Sequence, residues 1–407
     1  LNTLPNQPSL QSDNAQTIIA NKRWKAFGQN RALFIPAASV AAQHYAFDFF
    51  LSSKWQRVAI KLASKVGFGR NVNAGAGAGV EWGEIQDAVA LADVISASAE
   101  VQSIKVQNTK VANPNQLAFA MRQGSVGPYQ KMSLIAIKQN GAPAFYAKVA
   151  VGAEADAMVE AESACLQRLS TIPTLNSMVP KKLSCGKTPA GRAFFITSVA
   201  PFLKTTNQFD APHQKFLNSL GHATVQWVRY ADSAEFQFAQ SALVRLRSVL
   251  GEAVYAELKS ATDELMNQIG ELALPTVLAH RDFSPWNIRS NNTEIFVFDW
   301  EYAAEGASPL YDFFHFHLIQ QALSGQGLKA LSSSYMHSLI SAAQQYLQQA
   351  FPEVDWSPVI VKSLLLAYLV DLILFYVDSD KSYDANHPVL AAYYSAVVQR
   401  KLWSEQV

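Results

Sequence analysis

Hydrophobic and polar positions change their period several times along the chain. Residues 1 to about 20 are polar, rich in Gln, Asn and Ser, and predict a loosely held leader. Ala32-Leu33-Phe34-Ile35 reads as a strand, and apolar positions at helical spacing follow over residues 40–51, 55–66 and 82–95. From Leu117 the pattern alternates. Leu117, Phe119 and Met121 precede a glycine-containing turn, Gln123-Gly124-Ser125-Val126-Gly127-Pro128-Tyr129, after which Met132, Leu134 and Ala136 lead to Asn140-Gly141 and a third strand over 144–151. Asn-Gly between two alternating runs signals a hairpin, because both residues tolerate the positive φ of a tight turn. A helix follows over 154–169, then a strand over 192–199 that Ala200-Pro201 ends. Long helical patterns dominate the remainder, over 213–230, 234–250, 253–269 and several more beyond residue 302. The stretch 277–302 departs from them, with the turn-forming Ser290-Asn291-Asn292-Thr293 set between two short strands.

Length and composition narrow the class. A chain of 407 residues, 49% hydrophobic and 16% charged, is long enough for two or three domains with substantial cores. Its net charge of +1 gives no long-range field to gather nucleic acid or an anionic membrane, and the densest basic cluster, Lys22-Arg23-Trp24-Lys25, reads as a solvated surface turn. Cys165 and Cys185 provide neither a disulfide framework nor a metal set, so a reducing cytoplasm fits best. The N-terminus lacks the basic start and apolar core of a signal peptide. The most apolar stretch, residues 363–377, is shorter than a bilayer span and carries Asp371 in its middle, which predicts a buried helix and no membrane span. The Gly-Ala run over 71–79 matches neither phosphate-loop spacing and reads as a connector.

The chemistry concentrates in residues 277–302. His280-Arg281-Asp282 is followed by Asn287, and the apolar run Ile295-Phe296-Val297-Phe298 delivers Asp299. Phosphoryl transfer needs a group to orient a hydroxyl and hard oxygen donors for a cation. A hairpin would fold Asn287 and Asp299 back toward one end, where both could meet one ion. The bland alternative is a buried hairpin whose Asp and Asn side chains cap turns. Two further residues stand out upstream. Tyr146 and Lys148 point away from Phe145, Ala147 and Val149, so Lys148 stands on a face apart from the core. Met158, Glu162, Cys165, Leu166 and Leu169 share one helical stripe, whereas Glu160 and Asp156 lie on the exposed side. A carboxylate at Glu162 within a buried stripe needs a partner, and Lys148 is assigned to it.

The stretch from His280 to Asn287, followed by Phe298-Asp299-Trp300-Glu301, resembles the catalytic loop and metal-binding aspartate of the aminoglycoside phosphotransferase and choline kinase group, relatives of the protein kinases. The resemblance implies an α+β, protein-kinase-like two-lobed fold. Residues 1–114 would form an extra N-terminal α/β or helical domain, 115–200 a small β-sheet lobe and 201–407 a large helical lobe with the catalytic loop. It implies transfer of the ATP γ-phosphate to a hydroxyl of a small molecule: a sugar, a glycan precursor, an aminoglycoside or an amino alcohol. Asp282 would be the catalytic base, and Asn287 and Asp299 would hold Mg2+. Lys148 and Glu162 would hold the nucleotide phosphates, Gly124 and Gly127 would let the first turn approach them with free amides, and Ser198 and Val199 would meet the adenine edge. His280 would brace the loop, Arg281 would pair with a carboxylate or a phosphate, and Asp312 resembles an aspartate that ties such loops together.

The sequence departs from the family in places. Tyr146 stands where protein kinases place a small alanine against adenine, so it would stack on the base or narrow its pocket. Ser284 replaces a second histidine found in many small-molecule kinases. For the acceptor, Glu301, Asp371, Asp378, Asp380 and Asp384 form an acidic wall or, over 378–384, a solvated loop, while Trp286, Trp300 and Tyr302 offer stacking faces. A second reading is a non-catalytic nucleotide-binding pseudokinase whose N-terminal domain engages a protein partner. Retention of all five polar site residues speaks against it.

Overall fold

Alternating strands with two-residue turns build the first part of the chain, and helices with one apolar stripe build the second. The computed structural model describes residues 23–27, 33–36, 40–50, 70–73, 105–106, 109–110, 117–124, 127–200, 204–324 and 332–404. The helices expected over 55–66 and 82–95, and the Gly-Ala run from residue 74 onward, lie outside them. The chain divides into two compact units: Leu1–Gln167 with Pro180–Leu203, and Arg168–Val179 with Lys204–Val407.

The first unit is built on an antiparallel sheet. Its strands are β1 (Arg23–Phe27), β2 (Leu33–Pro36), β3 (Arg70–Asn73), β6 (Leu117–Gln123), β7 (Lys131–Lys138), β8 (Pro143–Ala150), β9 (Lys182–Lys187) and β10 (Ala193–Thr197), in the order β3-β1-β2-β6-β7-β8-β10-β9. Among the described residues, β4 (Lys105–Val106) and β5 (Thr109–Lys110) pair with each other. Gly141 takes the positive φ, 83°, expected of the Asn140-Gly141 turn, and Asn140 Oδ1 accepts the Ala142 N–H at 3.0 Å.

The N-terminal strands differ from expectation. Arg23, Trp24 and Lys25 lie in β1, paired on one side with β2 and on the other with β3, rather than in a surface turn. Leu33 and Phe34 of β2 pair with Arg122 and Met121 of β6. The described strands before residue 74 thus extend the sheet of residues 117–197, because the N–H and C=O groups along the edge of β6 are a template for another strand.

Helix α1 (Val40–Phe50) packs on β6 and β7. Ala42, Ala46 and Phe50, four residues apart, bury one stripe against Ala120, Ile135 and Ile137. Arg122 Nη1 donates to the Phe50 carbonyl at 2.9 Å, which satisfies an orphan acceptor at the negative end of the helix dipole. Helix α2 (Ala153–Ser170) follows β8 and buries Ala155, Val159, Glu162, Leu166 and Leu169.

The second unit contains α3 (Ala211–Thr224), β11 (Gln226–Arg229), α4 (Ala234–Leu250), α5 (Glu252–Ile269), β12 (Ala273–Ala279), β13 (Ile288–Ser290), β14 (Ile295–Val297), β15 (Ala304–Ala307), α6 (Tyr311–Leu323), α7 (Ser333–Ala350), α8 (Pro358–Asp380) and α9 (Pro388–Val398). The helix expected over 213–230 stops at Thr224, because residues 226–229 pair instead with β12 in the sheet β11-β12-β15. The Thr224 hydroxyl marks the switch: it donates to Leu220 O at 2.8 Å and accepts the Leu278 N–H at 3.0 Å.

Among the described residues, α8 is the one helix long and apolar enough to cross a membrane, and 72% of its most apolar window is buried inside the protein. It packs against α4, α5, α6, α7 and α9, as a core helix does. Near it, the start of α4 meets β15. Gly306 has φ 74°, and a Cβ there would come 2.8 Å from the Ala234 Cβ. The neighbouring Glu235 carboxylate is buried and accepts only the Ser308 N–H, at 2.7 Å through Oε2, while Oε1 has no partner. Burial, reinforced by the nearby Asp371, raises its pKa to about 8.

A carboxyl with a raised folded pKa stabilises fully below its unfolded value, and that contribution is lost as the unfolded state ionises first. Stability therefore falls as pH rises from about 4.5 toward 8. Glu235→Gln is expected to remove this slope, so thermal melts should show the variant near wild type at pH 4.5 and more stable by on the order of 3 kcal/mol at pH 7. Parallel melting curves across that range would refute the assignment.

Candidate active site

Strand β12 carries the chain to His280, and three local constraints then set the loop. The Asp312 carboxylate, in the first turn of α6, accepts the His280 N–H at 2.7 Å and the Arg281 N–H at 2.9 Å. Arg281 is held at φ 66°. His280 is fully buried; its Nδ1 lies 3.2 Å from the Asp282 N–H and its Nε2 3.0 Å from Phe298 O. Through its two nitrogens the ring braces the loop against the strand ahead of Asp299.

The hairpin then brings the polar ends together. Ile288 pairs with Val297, and Phe298 N–H donates to Asn287 O at 3.1 Å, so Asp299 is the next residue along. The turn is closed by Asn291, whose Oδ1 accepts Thr293 N–H at 2.9 Å and Glu294 N–H at 2.8 Å. Asp299 has φ 70°, a left-handed conformation that a non-glycine residue holds only where its surroundings enforce it.

Asp282 is the most heavily bonded group of the loop. Asn287 Nδ2 donates to its Oδ2 at 2.7 Å and to its backbone O at 3.0 Å, and Ser284 Oγ donates to Oδ1 at 3.0 Å. His315 of α6 lies behind it, with Nε2 3.2 Å from Asp282 Oδ1 and Nδ1 3.1 Å from the Tyr368 hydroxyl, itself 2.9 Å from the Tyr393 hydroxyl. Burial pushes the Asp282 carboxyl up, but His315, His280 and Ser284 together hold it below the ordinary aspartate value. It is an anion at neutral pH.

His315, Tyr368 and Tyr393 were not singled out in the sequence. The signal that could have found His315 is its spacing: three residues after Asp312 on one helix, it shares that residue's face.

Arg281 meets a carboxylate. Its guanidinium pairs with Asp371 of α8, lies 3.3 Å from the Tyr311 hydroxyl and stands 4.6 Å over the Phe375 ring. Asp371 is thereby consumed by Arg281 and by the Tyr311 hydroxyl at 2.7 Å, and Asp378 by Arg245 at 2.8 Å and Lys381 at 2.7 Å. Neither belongs to an open acidic wall. Trp300 is 1% exposed and bonds Val297 O, so it packs on His280 and offers no stacking face, whereas Trp286 is 40% exposed.

The first unit carries a buried ion pair. Lys148 Nζ lies 2.6 Å from Glu162 Oε2, with side chains 5% and 3% exposed. Lys148 is therefore inside the protein, not on a face apart from the core, because α2 supplies its counter-charge. Asp156 also differs from expectation: it is half-buried, 3.0 Å from Arg192, and accepts the Ala193 N–H at 2.6 Å, while Glu160 is exposed and pairs with Lys187. Gly124 donates its N–H to Lys131 O at 2.8 Å, and a Cβ there would meet the same oxygen, so this glycine closes its own hairpin and its amide is not free. Ser198 N–H likewise donates to Lys181 O at 2.9 Å.

Residues 138–346, just over half of the 407 residues, match the phosphotransferase enzyme family, and the chain belongs to it. No match was found among curated protein sequences. A choline kinase from Cryptosporidium parvum Iowa II is similar in structure, with 14% identity over 77% of this chain and 95% of that one and a TM-score of 0.50. A thermostable aminoglycoside phosphotransferase APH(4)-Ia in complex with ADP and hygromycin B is 17% identical over 70% and 95%, with a TM-score of 0.48. The choline kinase LicA from Streptococcus pneumoniae is 13% identical over 66% and 88%, with a TM-score of 0.45. The fold is protein-kinase-like, with a β-rich unit and a helical unit. Its class is that of a small-molecule phosphotransferase.

The buried pair yields a test independent of activity. Lys148→Met removes the counter-charge of the buried Glu162 carboxylate, which costs about 3–5 kcal/mol, whereas Lys148→Met with Glu162→Leu removes both charges and is expected to recover most of that loss in urea denaturation. A double variant no more stable than the single one would mean that the two charges do not support each other.

Proposed function

We propose that the protein moves the γ-phosphate of ATP to a hydroxyl of a small molecule. The observation that carries the reading is the Asp282 carboxylate, kept anionic by its hydrogen bonds and oriented by Asn287 and His315. Such a carboxylate accepts the acceptor's O–H as a hydrogen bond and takes its proton late, after the phosphoryl group has largely left the nucleotide. Lys148, fixed by Glu162, binds the nucleotide phosphates as a point charge. Gly127 lies in the turn between β6 and β7, and its small size suits close approach of a phosphate.

The donor set suits magnesium. Both contacts of the Asn287 amide nitrogen go to Asp282, which leaves the amide oxygen as its cation ligand, and Asp299 is the second such donor, following Phe298, whose N–H bonds Asn287 O. Two hard oxygens of this kind, completed by phosphate and water, are the usual protein share of such a site. Magnesium bound there would neutralise charge on the phosphate oxygens. The exposed Trp286 and the half-buried Tyr302, packed on Phe375, support an acceptor with an apolar face, such as a sugar or an amino alcohol.

Magnesium-dependent ATP consumption, assayed against a panel of sugars, aminoglycosides, choline and other amino alcohols, is expected to rise with one class of acceptor. Asp282→Asn should lower that turnover about 10²–10⁴-fold while ADP affinity stays within about twofold. Turnover that survives Asp282→Asn would sink the reading.

His315 acts through Asp282 as a positioning residue. His315→Ala is expected to lower kcat by about 10- to 100-fold, the equivalent of one hydrogen bond to a charged group, with the KM for ATP unchanged. His315→Gln, which restores a donor, should recover part of the loss. Equal losses in both variants, accompanied by a raised KM, would instead mean general damage to the helix.

A further inference from the structure

The first unit has a feature that the phosphotransferase reading does not use, although its meaning rests on that reading. Directly paired residues of neighbouring strands point to the same face of a sheet. Arg122, Ser133 and Lys148 form one such row, and Ala120, Ile135 and Tyr146 the next, with Thr197 beside Tyr146. The glycine turn lies at the Lys148 end, where Lys131 pairs with Ala150. A nucleotide whose phosphates meet Lys148 has to lay its base farther along this face, away from the turn. Side chains two apart on a strand stand roughly 6.6 Å from each other, less than a nucleotide's length. The apolar surface within reach of a base is therefore Tyr146, Ile135 and Ala120.

That surface is already taken. Ala120, Ile135 and Ile137 are 0% exposed beneath Ala42, Ala46 and Phe50 of α1. The Phe49 ring lies 6.1 Å from the Tyr146 ring, and Val199, at the segment expected to meet the adenine edge, packs against the same cluster. One polar contact fastens the helix to the sheet: Arg122 donates to the Phe50 carbonyl at 2.9 Å. Within the sheet, the Tyr146 and Ser133 hydroxyls bond each other at 2.7 Å.

We propose that α1 is a self-supplied cover of the nucleotide face, and that a nucleotide binds by displacing it. An 11-residue helix is marginal once it loses its packing surface, so displaced α1 unravels. Nucleotide affinity is then reduced by the fraction of molecules with the face open. The coupling is reciprocal: whatever holds α1 off the sheet tightens nucleotide binding.

The test uses the full chain and ADP with magnesium. In the wild-type protein, saturating ADP is expected to speed hydrogen exchange of the amides over residues 40–50. Ala46→Asp puts a charge into the apolar contact and is expected to tighten ADP binding about tenfold or more in titration calorimetry, and adding Lys148→Met should remove the binding. ADP binding that slows exchange over 40–50, or that is no tighter in Ala46→Asp, makes α1 a wall of the pocket and overturns the proposal while leaving the kinase reading intact. Absence of ADP binding in both proteins overturns the kinase reading, and the cover with it. The exchange measurement needs no variant, so a misfolded Ala46→Asp does not shelter the proposal.

Discussion

The two hydrogen bonds from the amides of His280 and Arg281 to the Asp312 carboxylate are the constraint on which the loop depends. Holding a non-glycine residue in the left-handed region costs about 1–2 kcal/mol, and Arg281 sits there at φ 66°. A buried carboxylate that accepts consecutive amides offsets that cost and fixes the direction of both residues. With the backbone set, the His280 ring falls between the Asp282 amide and Phe298 O, and Asp282 is placed within reach of Asn287 and His315. Burial raises the Asp312 pKa, opposed by His280 and the two amide bonds, so desolvation is only partly compensated. The chemistry-bearing groups thus hang on a side chain that cannot itself touch a substrate.

A second economy links the loop to the most apolar helix. One cation, Arg281, is buried among two carboxylates, Asp371 and Glu235. It pairs directly with Asp371, which also accepts the Tyr311 hydroxyl, and Glu235 is left with one backbone donor. Glu235 therefore stays protonated near neutral pH, because a lone buried anion without a counter-charge is costly. This explains why α8 carries a charged residue in its middle: Asp371 belongs to the loop network, and its position among leucines gives the Arg281 pair a low-dielectric setting.

Local spacing made the hairpin legible. Asn287, a turn of Ser and Asn residues and an apolar run ending in Asp299 specify their own register, since the Asn291 turn and the alternation agree. Glu162 was legible for a different reason: a carboxylate in an apolar helical stripe announces that a cation must come to it, and Lys148 does. What sequence left hidden depends on partners far along the chain. His315 reads as one more residue of a buried aromatic helix until Asp282, 33 residues away, is placed against it. Gln226–Arg229 continues a helical pattern, and only pairing with β12 makes it a strand. The amides of Gly124 and Ser198 look free in sequence, but in the fold they donate to the carbonyls of Lys131 and Lys181.

The stripe of α1 shows the same limit most plainly. Ala42, Ala46 and Phe50 tell a reader that this helix buries a face, yet nothing in their spacing says which surface receives it. A half-apolar sheet face needs a cover, and Ala120, Ile135 and Ile137 next to Lys148 would otherwise be a wet hydrophobic patch. A nucleotide base is a poor substitute for a helix, because its plane reburies only part of what Ala42, Ala46, Phe49 and Phe50 protect. On the proposed displacement of α1, binding at this face is a difference between two burials, and the side chains of α1 set its size as directly as any group that would touch the phosphates.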